Sequence, residues 1–368
     1  MNDKNIKVVM LGYGKTSKAL FKSLVLNNQF VEIKGNKYQP KKVDYYLYDI
    51  NNKSFQDPLL DILENKNGFI SKRSEDIELP CNIHKSVIDV KNEHDESYLN
   101  LFKPKENEFT FYFISLKDGF ENALIADKLN NLVSNSQSII FYNVDTDKEA
   151  LISSSNNIIP FGYKKSVLNH SYICDERLWE LSNAHNKAYN EYKGNTEISY
   201  QRRPIIEKLS NTYSVINYRF KLNVLGFDFS KDSSSSISEE EFYQVYDKDN
   251  RRKEDKYENY FLISTRNAIA YQEHLRWVTF YIVNGYSMLP LEEVRYENNK
   301  LIHKNPLKKQ HACLLPYYEL DKLVKLEEKL LPEGIDKTSA DVYRYDFQSL
   351  DKLFEVIKEA GLVVKKIN

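Results

Sequence analysis

Cysteine is scarce in this 368-residue chain: Cys81, Cys174 and Cys313 are the only three, and they lie far apart. That spacing offers no disulfide framework and fits a reducing, cytoplasmic setting. No run reaches ~18 consecutive apolar residues, so no membrane-spanning helix is expected. The opening MNDKNIKVVML also lacks the basic-then-apolar pattern of a secretion signal. An excess of one charge is missing as well. Lys and Arg number 52 against 53 Asp and Glu, so there is no bulk attraction to nucleic acid or anionic lipid. The seven histidines show no H-E-x-x-H spacing and no zinc-type pairing with cysteine. No nucleophile elbow and no internal repeat is found. A metal site, direct nucleic-acid binding and a membrane span are therefore not expected. The 27 tyrosines read as packing residues rather than a stacking platform.

Strands and helices alternate over the first 160 residues. IKVVML (6–11), VDYYLYD (43–49), FTFYFIS (109–115), SIIFYNV (138–144) and NIIPFG (157–162) are short apolar runs of the kind that form buried parallel strands. A helix is expected behind Thr16–Ser17 as capping pair, and another after Asp118. Residues 51–108 are less legible, with one more strand and helix expected. The pattern predicts an α/β, doubly wound, mostly parallel sheet over 1–165. Beyond it, helical spacing is expected at 175–193 and at 204–225, with Pro204 in the first turn of the latter and Gly226 as its stop. This gives a helical connector over 166–229. The polar, serine-rich stretch 230–259 reads as a loop or linker with a boundary inside it. A mainly α-helical segment, 260–368, closes the chain, with a last helix at 347–360 stopped by Gly361.

The informative motif is VVMLGYGKTSKAL (8–20). A triphosphate P-loop fails, because its first glycine would fall on Val9. The dinucleotide fingerprint G-x-G-x-x-G fits Gly12 and Gly14, with Ser17 in place of the third glycine. Amides at the start of the following helix, from Lys15, Thr16 and Ser17, would then face a phosphate. Asp49 ends the second strand, where an acid would hold ribose hydroxyls, with EIKGNKYQPKK bulging out as an insertion on the way. Ser115, Lys117 and Asp118 reach the same carboxyl edge, and Asp118 serves equally well as a helix cap. The cofactor reading is NAD(P) or another nucleotide; a parallel sheet with an empty crevice stays open. Tyr-x-x-x-Lys pairs occur at Tyr38/Lys42 and Tyr189/Lys193, but neither follows a mid-sheet strand, as hydride chemistry would require. The chain reads as a binding loop without legible catalytic machinery.

In NAIAYQEHLRWVTFYIVNGY (267–286), Leu275, Val278 and Ile282 form an apolar face. His274, Trp277, Tyr281 and Gly285 lie on an adjacent one, and Glu273 is spaced to pair with Arg276. Arg276 and Lys309 are candidate phosphate ligands, and Trp277, Tyr286 and Tyr317 candidate stacking surfaces, with His311 beside them. The competing reading makes Trp277 and Tyr317 core residues, His311 a structural histidine and Arg276 only the partner of Glu273.

The order of His274, Trp277, Gly285, Tyr286, Lys309, His311, Leu314, Pro316, Tyr317, Leu320 and Gly361 resembles the ryanodine-receptor repeat domain in its bacterial form, over roughly 260–365. Tyr286 stands where that family has tryptophan, the Tyr-Gly that commonly follows is absent, and 324–345 is longer than usual. The opening VVMLGYGKTSKALFKSL and IIPFGY resemble the TrkA-N type of Rossmann domain. What the two resemblances imply is a cytoplasmic ligand sensor, taking a nucleotide signal of the kind used in anti-phage defence, as a homo-oligomer or with a partner subunit. An NAD(P)-dependent oxidoreductase, a non-catalytic complex-forming subunit and a channel gating ring are the rival readings.

Overall fold

The computed structural model describes residues 4–64, 79, 81–90, 100–133, 136–144, 157–163, 177–192, 199–253, 260–335 and 337–367. Two compact units emerge. One takes its described residues from 1–28, 42–66 and 79–175, the other from 29–41 and 176–368. Cys174 and Lys193 lie outside the described residues. Among the described residues no helix is long and apolar enough to cross a membrane.

The first unit is built on six strands: β1 (Asn5–Leu11), β2 (Val43–Asp49), β3 (Cys81–Val87), β4 (Glu108–Ile114), β5 (Ser138–Asn143) and β6 (Ile158–Phe161). They pair in the order β3-β2-β1-β4-β5-β6, every pair parallel. This is the α/β order of dinucleotide-binding sheets, and it reverses between β1 and β4. Both faces are covered, which is why the strands are continuously apolar rather than alternating. Helix α1 (Lys15–Asn27) sets Phe21 edge-on to Tyr45, 5.2 Å between ring centroids. Tyr45 pairs in register with Val8, so α1 covers that face. Helix α3 (Gly119–Leu132) packs Ala123, Ala126 and Leu129 with Val9, Leu11, Tyr112 and Ile140, on the opposite face. A short α2 (Pro58–Leu63) begins behind an Asp57 cap.

Two expectations change here, while the one further helix and strand expected in 51–108 are present. Helix α1 starts two residues earlier than a Thr16–Ser17 cap allows: Gly14 is the N-cap, with no side-chain cap among the described residues. The insertion after α1 is a β-hairpin, Phe30–Lys34 with Lys37–Lys41, turning on Gly35 and Asn36 at φ +57° and +62°. It folds with the second unit, where the buried Tyr38 hydroxyl donates to the Ser264 carbonyl at 2.8 Å. In 51–108 the described elements are a 3-10 turn, α2 and β3.

The second unit has its long elements as helices: α4 (Arg177–Tyr192), α5 (Ile205–Ile216), α6 (Tyr218–Val224), α7 (Glu239–Tyr246), α8 (Thr265–Val283), α9 (Leu320–Leu330), α10 (Arg344–Gln348) and α11 (Leu353–Glu359). The single helix expected at 204–225 is broken at Asn217, with Pro204 outside it as N-cap. Phe227–Ser230 then pairs antiparallel with Val363–Lys366. The stretch read as a linker contains α7, held by a reciprocal capping box between Ser238 and Glu241. It buries Phe242, Tyr243 and Tyr246, with Phe242 against Phe354 at 5.6 Å. Helix α8 is capped by Ser264 and buried nearly all round, charged residues included.

Candidate ligand-binding sites

The glycine loop follows β1, and the Ser115 loop follows β4, so both meet at the edge where the strand order reverses. Gly12 has φ +85°, and a Cβ there would lie 2.6 Å from the Ser115 carbonyl oxygen. Only glycine permits that approach. Gly12 N donates to the Tyr48 carbonyl, and Tyr13 N donates to Asp49 Oδ2 at 2.7 Å. Tyr13 turns inward: it is fully buried, stacked on Phe55, and its hydroxyl donates to Asp57. Burial, then the Asp57 charge, push that phenol far above its usual range.

Gly14 is different. Among the described residues nothing lies within 4 Å of where its Cβ would be, and no side chain caps the first turn of α1. Among the described residues the amides of Lys15, Thr16 and Ser17 therefore remain open to an anion. Lys15 and Thr16 are exposed, while Ser17 is buried with its hydroxyl unpartnered. Asp49 Oδ1 accepts from Asn51 N at 2.9 Å. With Tyr13 N on its other oxygen, two of about four acceptor positions are used, leaving capacity for hydroxyl donors. Lys18 is 4.0 Å from Asp57 and lies over the Tyr13 ring.

Ser115 and Asp118 face other tasks. The Ser115 hydroxyl accepts from Asn143 Nδ2 at 3.1 Å. Asp118 Oδ1 accepts from the amides of Phe120 and Glu121, at 2.8 and 3.1 Å, and so caps α3. Of the two readings of Asp118, the cap is the one with hydrogen bonds behind it.

In the second unit a cavity of about 180 Å³ brings together Arg276, Trp277 and His311. Tyr286, Lys309 and Tyr317 are not among its lining. Tyr317 is a core residue, packed edge-on to Tyr271 and Tyr343. Lys309 is exposed, with Nζ 3.4 Å from the Asn284 carbonyl, and Tyr286 stands edge-on to Tyr281 at 4.8 Å.

The expected Glu273–Arg276 pair forms, through Nε at 2.9 Å and Nη2 at 2.7 Å. It is not isolated. Lys221 Nζ donates to Glu273 Oε2 at 2.5 Å, and Ser214 Oγ to Oε1 at 2.9 Å. Burial alone would raise the Glu273 carboxyl; Arg276 and Lys221 outweigh it and hold the group well below the carboxylate range. Beside it, burial drives His185 down to about 4, so the ring is neutral at pH 7.

Sequence reasoning missed Arg203, Glu207, Lys304, Tyr281 and His185 as cavity residues. Local signals were the four-residue steps from Arg203 to Glu207 and from Trp277 to Tyr281. Compared with known proteins, the chain matches no family model, no curated protein and no solved structure.

Proposed function

We propose that the chain is a ligand-sensing regulatory protein that takes a nucleotide or dinucleotide, NAD(P) included, on the β1–α1 loop. One observation carries this reading: the uncapped first turn of α1 opens over the bare Gly14, at the edge where the sheet order reverses. Phosphate oxygens would complete the amides of Lys15, Thr16 and Ser17, and Asp49 would accept from ribose hydroxyls. Ser115 and Asp118 contribute by shaping the loop that Gly12 packs under. In the same proposal the 260–368 segment is a mainly helical ryanodine-receptor-repeat-like module, and the protein regulates rather than catalyses. Support for that part comes from the sequence resemblance, which also points to a nucleotide signal in anti-phage defence.

Isothermal titration of the full chain with NAD, NADP, ADP and ATP tests the binding claim. Saturable binding by wild type that Gly14→Asp abolishes is the expected result. If wild type binds none of the four, and mass spectrometry finds no nucleotide released from the denatured protein, the reading fails. Turnover of reduced cofactor with any substrate would instead favour the oxidoreductase.

A further inference from the structure

We propose that the second unit holds a separate binding site, in the cavity beneath Arg276, for a small dianionic ligand bearing an aromatic ring: a phosphomonoester of a ring compound. The inference is independent of the glycine loop, since every residue it uses belongs to the second unit.

Charge balance within the cavity carries the argument. On Glu273, which lines the cavity, two cations converge: Arg276 from the lining and Lys221 from outside it. All three are buried. Arg276 spends Nε and Nη2 on Glu273, while among the described residues Nη1 has no hydrogen-bond partner although the residue is only 1% exposed. A buried guanidinium edge without an acceptor is costly, and a ligand oxygen is the natural complement. Elsewhere in the lining the same stoichiometry recurs. Arg203 Nη1 and Lys304 Nζ both donate to Glu207, at 3.0 and 3.1 Å. Arg203 is further fixed by Asn186 and Asn190.

Each of these two carboxylates thus faces a pair of cations. Of the other titratable groups nearby, burial holds His185 neutral, and the carboxyl groups of Asp346 and Glu327 each face a histidine of their own, His274 at 3.2 Å and His303 at 3.0 Å. A ligand with several anionic oxygens offers an acceptor to each cation pair; one with a single oxygen serves one pair only.

The ring requirement comes from Trp277, the half-buried exception on a helix otherwise buried along this stretch. Its indole is held edge-on by His311, 4.9 Å between centroids, and lies 4.6 Å from Tyr281. His311 is itself fixed, because Nδ1 accepts from the Cys313 amide at 3.1 Å. An indole locked this way, on the wall of a charged cavity, offers a flat partner its face at little ordering cost. The volume suffices for the ring: ~150 Å³ already admits benzene in an engineered apolar cavity.

The test uses phenyl phosphate as probe, with inorganic phosphate and phenol as its two halves, in titration calorimetry on the full chain. Trp179 and Trp277 are the only tryptophans, so Trp179→Phe protein reports Trp277 fluorescence alone. Phenyl phosphate is expected to bind saturably, quench that signal, and bind at least tenfold more tightly than either half. Arg276→Gln should weaken it at least tenfold. Should that variant fail to fold, Asn211→Phe, which fills the cavity from its wall, answers the same question by the same loss. Gly14→Asp should leave phenyl phosphate binding intact, which separates this site from the nucleotide loop. No saturable binding by wild type, binding untouched by the cavity variants, or binding lost in Gly14→Asp would each overturn the proposal.

Discussion

Replacing Gly14 by aspartate separates two quantities that usually move together. The backbone at Gly14 has φ −79° and ψ −168°, an ordinary N-cap conformation for any residue. A Cβ there meets no neighbour within 4 Å among the described residues, so aspartate enters without strain. Its carboxylate would accept from the open first-turn amides. An N-cap aspartate exceeds glycine by a few tenths of a kcal/mol, and a negative charge at a helix start adds ~0.3–1 kcal/mol. Stability should rise by about 0.5–1 kcal/mol, or roughly 1–4 °C in Tm for a unit of this size. Binding should go the other way. The new charge occupies the phosphate position, and two like charges about 4 Å apart at an effective dielectric constant near 20 repel by about 4 kcal/mol. Even if solvent screens half of that, affinity drops at least ~30-fold. Calorimetric titration and a thermal scan on the same preparation give both numbers. Higher Tm with unchanged nucleotide affinity would refute the anion site at α1. A lower Tm would refute the account of the open cap itself.

Three further outcomes follow from local geometry. Gly12→Ala forces a Cβ to within 2.6 Å of the Ser115 carbonyl at φ +85°. The left-handed penalty and the overpacking together should cost about 2–4 kcal/mol, read as a lower urea midpoint; a loss below 1 kcal/mol would disprove the close approach. Ser238→Ala removes one half of the capping box on α7 and should cost about 1 kcal/mol in the same assay. His185 titrates at about 4 in the fold against an ordinary 6.5. Between those values the unfolded chain binds a proton that the folded chain refuses, so the ring's contribution is complete above pH 6.5 and drains away toward pH 4. The stability gap between wild type and His185→Gln should therefore narrow by on the order of 3 kcal/mol from pH 7.5 to 4.5; a constant gap would mean the ring is not held neutral by burial.

What the sequence disclosed tracks how each element is buried. β1, β2 and β4 are covered on both faces and so announce themselves as apolar runs. β3, CNIHKSV, is an edge strand with all seven residues partly or fully exposed, and its mixed composition hides it. The hairpin at 30–41 carried a usable sign. Gly35–Asn36 at positive φ is the turn a two-residue hairpin needs, but the acid expected near Gly14 made the segment look like a bulge. The serine-rich stretch concealed α7 for a related reason. Its Ser238-x-x-Glu241 start is a helix signal, outweighed in the reading by the polar residues around it. The cavity was legible only where its residues share α8. The Arg203–Glu207 pair and Lys304 come from segments about a hundred residues apart, and no local spacing announces a meeting of that kind.

The charges on α8 bear on why the cavity exists. A helix buried along most of its length could be wholly apolar, yet this one carries Glu273, His274 and Arg276 at 6%, 2% and 1% exposure. A buried ion cluster gains little net stability over a well-packed apolar replacement, because desolvation consumes most of the Coulomb attraction. Stability alone therefore does not account for the cluster, and its incomplete pairing argues the same way. Were the network purely structural, the economical arrangement would match one cation to Glu273 and leave no donor orphaned. Instead a second cation is present, and the spare guanidinium edge belongs to the residue that lines the cavity. Lys221→Met distinguishes the two purposes. It restores one-to-one pairing at Glu273 and removes the excess charge without touching the cavity wall. A structural cluster would lose stability by it, whereas a binding cluster would keep its fold and lose affinity for a dianion.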